Sequence, residues 1–126
     1  MAFEMVIFDT NILIEIYRGN DLIKSTVERI IDDTIYISTI TAAEFLVGAK
    51  DKRDFIRLEK ELEDYTQIPL SAEITEVFLD IFKKYTLSRR PDIADTLIAA
   101  TALYYDLPLY TLNKKHFQFL PGIRLY

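Results

Sequence analysis

Phe3 to Phe8 reads as a strand, and within it Met5-Val6-Ile7-Phe8 run on without alternation, the pattern of burial on both faces. Asn11 to Tyr17 reads as a helix, broken at Arg18-Gly19-Asn20, and a second helix runs from about Asp21 to Ile31. Thr34 to Ser38 is a short β-branched strand, and Thr41 opens a helix through Lys50. Residues 52 to 64 carry Phe55, Ile56, Leu58 and Leu62 among charges, as an exposed amphipathic helix does. Thr66 to Leu70 is a weaker strand pattern. Ser71 caps the clearest helix, which lines up Ile74, Val77, Phe78, Ile81, Phe82 and Tyr85 on one stripe. Arg89-Arg90-Pro91 closes the connection, and Pro91 sits just ahead of a helix that runs to about Tyr105. Leu107 to Thr111 is a strand, and Ile123 to Tyr126 offers a final one.

Strands that alternate with helices predict a parallel sheet covered on both faces, an α/β fold of three layers. Ligands bind such sheets beyond the carboxyl ends of the strands. Asp9, Ser38 and Thr111 fall at three of those ends, and Glu44 and Asp95 fall in what read as first turns of helices.

Composition narrows the picture. The chain of 126 residues reads as one domain, half of it hydrophobic, with only three glycines, which argues against disorder. It has no cysteine, so disulfides and thiolate metal sites are excluded, and a reducing, cytoplasmic setting is expected. No apolar stretch predicts a membrane span, and Met1-Ala2-Phe3-Glu4 lacks the basic start of a secretory signal. The net charge of −5 does not suit general binding to nucleic acid, whose affinity comes mostly from Lys and Arg on phosphates. A polyanion would have to meet a local basic patch or a bound cation.

Each candidate acid has a structural explanation beside a chemical one. Asp9 can cap the helix after it. Thr41 and Glu44 have capping-box spacing, and Asp95 in a first turn suits the helix dipole. Together they point further. Asp9 follows four apolar residues, and a buried charge needs a partner. Carboxylates gathered at helix amino ends make an oxygen-rich site for Mg²⁺, for which Mn²⁺ substitutes. Asp92, three residues before Asp95, reads as a ligand, a cap or a solvated charge. Thr10, Ser38 and Thr111 are either turn formers or hydroxyls that orient the carboxylates.

Four segments in order carry a family resemblance: Asp9-Thr10-Asn11, Thr41 to Gly48, Asp95 to Leu103, and Leu109 to Phe117. Nearly end to end the chain resembles PIN-domain ribonucleases, and more narrowly the VapC toxins of toxin–antitoxin pairs. The resemblance implies a PIN-like α/β/α fold with a mostly parallel central sheet. It also implies that Asp9, Glu44 and Asp95 are metal-binding acids. Asn113 lies where many members have a fourth acid, and His116 stands near a position often filled by Asp or Glu. The site is then less negative than usual, which Asp92 can partly offset. The implied reaction is endonucleolytic cleavage of RNA by an activated water, leaving a 5′-phosphate and a 3′-hydroxyl. A homodimer and a cognate antitoxin are the partners the resemblance implies.

Arg89-Arg90 and Lys114-Lys115 flank these acids in sequence and are either phosphate contacts or solvated charges. His116, the only histidine, either contacts substrate or packs beside Phe117. Tyr104, Tyr105 and Tyr110 are either base-stacking or core residues. Ile12, Leu13, Ile14, Ile16 and Tyr17 exceed one buried stripe, so this helix either meets another chain or is buried on several sides. The contrasting function is a catalytically weak PIN-like module that binds RNA or protein and uses its acids as caps. A phosphatase with Asp9 as nucleophile lacks the second aspartate at position 11.

Overall fold

The computed structural model describes residues 5–30 and 34–126. Its centre is a parallel sheet of four strands in the order β3-β2-β1-β4. The strands are β1 (Val6–Phe8), β2 (Ile35–Ser38), β3 (Thr66–Ile68) and β4 (Leu109–Tyr110). Among the described residues six helices connect or flank them: α1 (Thr10–Tyr17), α2 (Asp21–Glu28), α3 (Thr39–Val47), α4 (Lys52–Leu62), α5 (Ala72–Arg89) and α6 (Ile93–Tyr105). A 3-10 turn at Lys114–His116 follows β4.

The unbroken apolar run of β1 has a simple cause. Successive side chains point to opposite faces of a strand. Val6 and Phe8 join one core with α1 to α4, while Ile7 joins a second core with α5 and α6. All three are fully buried, and each such side chain contributes roughly 1.5–3 kcal/mol of transfer free energy. The sheet is therefore the middle of three layers. On α1, Ile12 and Leu13 are buried, Ile14 and Ile16 pack partly against the first core, and Tyr17 is at the surface. That favours burial on several sides for most of this helix.

Several boundaries differ from those the sequence predicts. Helix α2 stops at Glu28, with Arg29 as its last cap, and Ile31, like Phe3 and Glu4, lies outside the described residues. The strand expected over 66–70 is only three residues long, because Pro69 has no N–H to continue the ladder. The expected last strand reduces to one parallel bridge, Leu109 to Leu125, beside β4. Helix α3 begins at Thr39 rather than Thr41. Ser38 caps it, accepting from the Thr41 N–H at 3.1 Å. Glu44 consequently stands in the second turn, and the capping box between Thr41 and Glu44 does not form. No helix among the described residues is long and apolar enough to cross a membrane.

Candidate metal centre

Strand register builds the site. Phe8 of β1 pairs with Tyr110 of β4, so the next residues, Asp9 and Thr111, leave the sheet side by side. The Asp9 N–H donates to the Tyr110 carbonyl at 2.9 Å. Thr111 Oγ1 donates to Asp9 Oδ2 at 2.7 Å, a contact across 102 positions of sequence. Asp9 Oδ1 accepts from the Thr10 N–H at 2.7 Å and so caps α1. Asn11 Nδ2 adds a longer contact to Oδ2 at 3.3 Å. The carboxylate is only 4 % exposed. Burial pushes its pKa above the ordinary 3.8. The Thr111 and Thr10 hydrogen bonds oppose that rise, Asp95 adds to it, and His116 opposes it.

On the β2 side a chain of hydroxyls leads to Glu44. Ser38 Oγ donates to Thr41 Oγ1 at 3.5 Å, and both residues are fully buried. Thr10 Oγ1 lies 3.4 Å from Thr41 Oγ1 but spends its one proton on Glu44 Oε1, at 2.6 Å. Ser38, which reads in sequence as either a turn former or a hydroxyl that orients a carboxylate, caps α3 and reaches Glu44 only through Thr41 and Thr10. Thr41 was legible from sequence only as a helix start. Its buried hydroxyl is a component that the apolar pattern around it conceals.

Asp95 enters from α6. Asp92 is the N-cap of that helix, accepting from the Asp95 N–H at 2.9 Å, so of its three readings the cap is realised. Asp95 Oδ2 meets His116 Nδ1 at 2.9 Å. Burial raises the Asp95 pKa, the His116 hydrogen bond lowers it, and the charges of Asp92 and Glu44 raise it again. His116 is an exposed hydrogen-bond partner of Asp95, whereas Phe117 is buried in the second core, so His116 turns to Asp95 instead of following Phe117 into that core. Two helix amino ends, α1 at Asp9 and α6 at Asp95, add positive partial charge beside the acids.

The residue range that a PIN domain model matches is 6–119. The chain belongs to the PIN domain family. It is similar to "Ribonuclease VapC" of Rickettsia bellii, 32 % identical over 95 % of this chain and 93 % of that protein. "Ribonuclease VapC1" of Methanocaldococcus jannaschii is 33 % identical over 96 % of this chain and 86 % of its own length. A solved "Toxin-antitoxin complex from Klebsiella pneumoniae" superposes with a TM-score of 0.80 at 33 % identity, covering 94 % of each chain.

Within this PIN domain the acids share one electrostatic neighbourhood without forming a closed cage. Among the described residues, no three His, Cys, Asp or Glu side chains are grouped closely enough to hold a metal ion. Glu44 opens onto a cavity of about 260 Å³ with Ile14, Tyr17 and Phe45. Asp92, Asp95, Arg89, Arg90, Lys115 and His116 line a second, of about 380 Å³. Thr111, Asn113 and Lys114 line a third, of about 550 Å³, which Lys115 and His116 also border. Tyr110 is a core residue, edge-on to Phe8 with ring centroids 5.6 Å apart. Tyr104 and Tyr105 are half-exposed and lie at the far end of α6, roughly 15 Å along its axis from Asp95.

The donors fit a hard divalent cation in type. All are oxygens, and the buried Asp9 carboxylate carries a charge that burial and Asp95 both penalise. Mg²⁺ keeps several waters and uses one or two carboxylates with substrate phosphate oxygens, so an all-protein cage is not required.

Proposed function

We propose that this chain is a divalent-metal-dependent endoribonuclease, the toxin of a two-protein toxin–antitoxin module acting in the cytoplasm. Asp9, Asp95 and Glu44 are the carboxylates that would hold Mg²⁺ or Mn²⁺. The observation that carries this reading is the Asp9 carboxylate. It is buried at the carboxyl end of the central strand, clamped by Thr111 and Thr10, and within electrostatic reach of Asp95. Membership of the PIN family and relatives named as VapC ribonucleases support the same activity.

When bound, the cation lowers the pKa of its water and polarises the phosphoryl oxygen. The protein side of the chemistry is orientation. The Thr111 hydroxyl and the Thr10 N–H hold the Asp9 carboxylate in one rotamer, and the Thr10 hydroxyl holds Glu44. Asp92 fixes the first turn of α6 and with it Asp95. His116 Nδ1 meets Asp95 Oδ2 and fixes the orientation of that carboxylate. Asn113 extends the polar wall beside Thr111, its N–H donating to Thr111 Oγ1 at 2.9 Å.

The antitoxin is a partner in this reading because the Klebsiella pneumoniae relative was solved as a toxin–antitoxin complex. A homodimer is proposed alongside it. The weak-binding module remains the second reading, favoured by the absence of a closed acid cage among the described residues. Cleavage of single-stranded RNA by the purified chain, with Mg²⁺, with Mn²⁺ and with chelator, separates the two. We expect metal-dependent cuts bearing 5′-phosphates, lost in Asp9→Asn and Asp95→Asn. Equal cleavage by those variants, or no Mn²⁺ site that depends on Asp9, would overturn the assignment.

A further inference from the structure

The corner between α5 and α6 concentrates positive charge in an acidic protein. Arg89 and Arg90, at the end of α5, face Lys115 and His116 across the cavity of about 380 Å³ that Asp95 also lines. Formal charge of the chain is −5. Yet among the described residues neither Arg89, Arg90 nor Lys115 enters an ion pair, although Asp92 stands in the same wall. Three permanent cations left unpaired around one concavity are oriented for an anion from outside.

Two details preorganise them. The Arg89 guanidinium lies 5.1 Å from the centroid of the Phe119 ring, which restrains its side chain before any ligand arrives. Arg90 occupies the left-handed region, φ 44 and ψ 59, at the C-cap of α5. Glycine or asparagine is usual there, and any other residue is strained. That conformation turns the chain sharply into Pro91 and Asp92, so the arginine pair and the first turn of α6 border one hollow.

We propose that this cavity is a subsite for one backbone phosphate of the RNA strand, next to the phosphate that is cut. The inference rests on the ribonuclease reading for the identity of the strand. Asp95 lines the cavity while Asp9 and Glu44 do not, so the phosphate held there neighbours the reacting one rather than being it. Guanidinium forks match phosphate oxygens in pairs, as they also match carboxylates, so it is the ribonuclease reading that makes the anion a phosphodiester. Phe119 already carries Arg89 on its face, so this subsite reads the backbone and contributes no base selectivity. Lys114 belongs to the separate hollow beside Asn113 and is not part of it.

The test is equilibrium binding of a labelled single-stranded RNA by the full chain carrying Asp9→Asn to stop cleavage, followed by anisotropy across a salt series. Adding Arg89→Ala with Arg90→Ala should weaken binding about tenfold or more and flatten the plot of log K against log salt by about one unit. Arg89→Lys with Arg90→Lys should restore the slope and only part of the affinity, which separates lost charge from lost folding. The pair Lys52→Ala and Arg53→Ala on α4 removes the same charge elsewhere and should change affinity less than twofold. In a second arm, neutral methylphosphonates replace the linkages of the RNA one at a time. One replacement should weaken binding to the parent and not to the double-alanine protein. Unchanged affinity and slope, an equal loss from the α4 pair, or identical methylphosphonate profiles would overturn the subsite. Competition by inorganic phosphate without any single-linkage effect would also overturn it, assigning the cavity to a free anion. None of these readouts requires cleavage, so failure of the ribonuclease reading shows separately, as an unmutated chain that cuts no RNA with Mg²⁺ or Mn²⁺.

Discussion

At Asp9 two opposing effects meet on one carboxylate. Two short hydrogen bonds favour its charge, and burial disfavours it more strongly, so its pKa lies above the ordinary 3.8. The folded chain therefore keeps the Asp9 proton to higher pH than the unfolded chain does. Stability is drawn down as pH rises from below 3.8 through the raised folded value, and the cost is fully present at neutral pH. Asparagine carries no such cost. In metal-free buffer, the unfolding free energy of Asp9→Asn relative to the parent should improve steadily as pH climbs from acid to neutral. Denaturant titrations at a pH series test this, and a difference that stays flat or moves against the variant would show that the hydrogen bonds, not burial, dominate. Mn²⁺ should invert the neutral-pH order by raising the melting temperature of the parent only. Thr111 supplies the other half of the clamp. Thr111→Val removes a charge-assisted bond and should cost about 2 kcal/mol, together with at least about tenfold in metal affinity or cleavage. Wild-type metal affinity in that variant would remove Thr111 from the site.

Among the elements, α3 shows best how a local signal misleads. Thr41 and Glu44 satisfy a capping pattern, but Ser38, Thr39 and Thr41 form a run in which any of three hydroxyls can start the helix. Strand β2 decides among them. It holds Ser38 at its end with the side chain buried, and Ser38 takes the Thr41 N–H. Ser38→Ala should cost about 1–2 kcal/mol of global stability, whereas Glu44→Gln should leave stability within about 0.5 kcal/mol while lowering cleavage. Comparable destabilisation by both would restore the capping role of Glu44. Helix α6 behaved more predictably. Its cap Asp92 and its long apolar body, closed by the left-handed Asp106, were bounded by Pro91 and Tyr105 in sequence.

For the molecule as a whole, an acidic surface has to admit a polyanion. Charge therefore matters by place rather than by sum, and the α5–α6 corner is the place where cations face the acids. Cleavage of single-stranded RNA should fall steeply with added salt while the fold persists, because the electrostatic share of binding is screened and the buried cores are not. Rates at constant metal across a salt series, with circular dichroism in parallel, check this. A flat response would place RNA recognition elsewhere.

The order of strands and helices, the three layers and the placing of Asp9, Asp95 and Thr111 at element ends were determined by the sequence itself. Apolar spacing and caps act between residues a few positions apart, and such spacing is written directly in the chain. The partners of those residues were decided only by the tertiary structure. Thr111 meets Asp9 because β4 lies beside β1 in register, Glu44 meets Thr10 because α3 follows β2 on the other side, and His116 faces Asp95 across the end of the sheet. Local periodicity is silent on strand order and register, and these alone bring residues up to 102 positions apart to within one hydrogen bond.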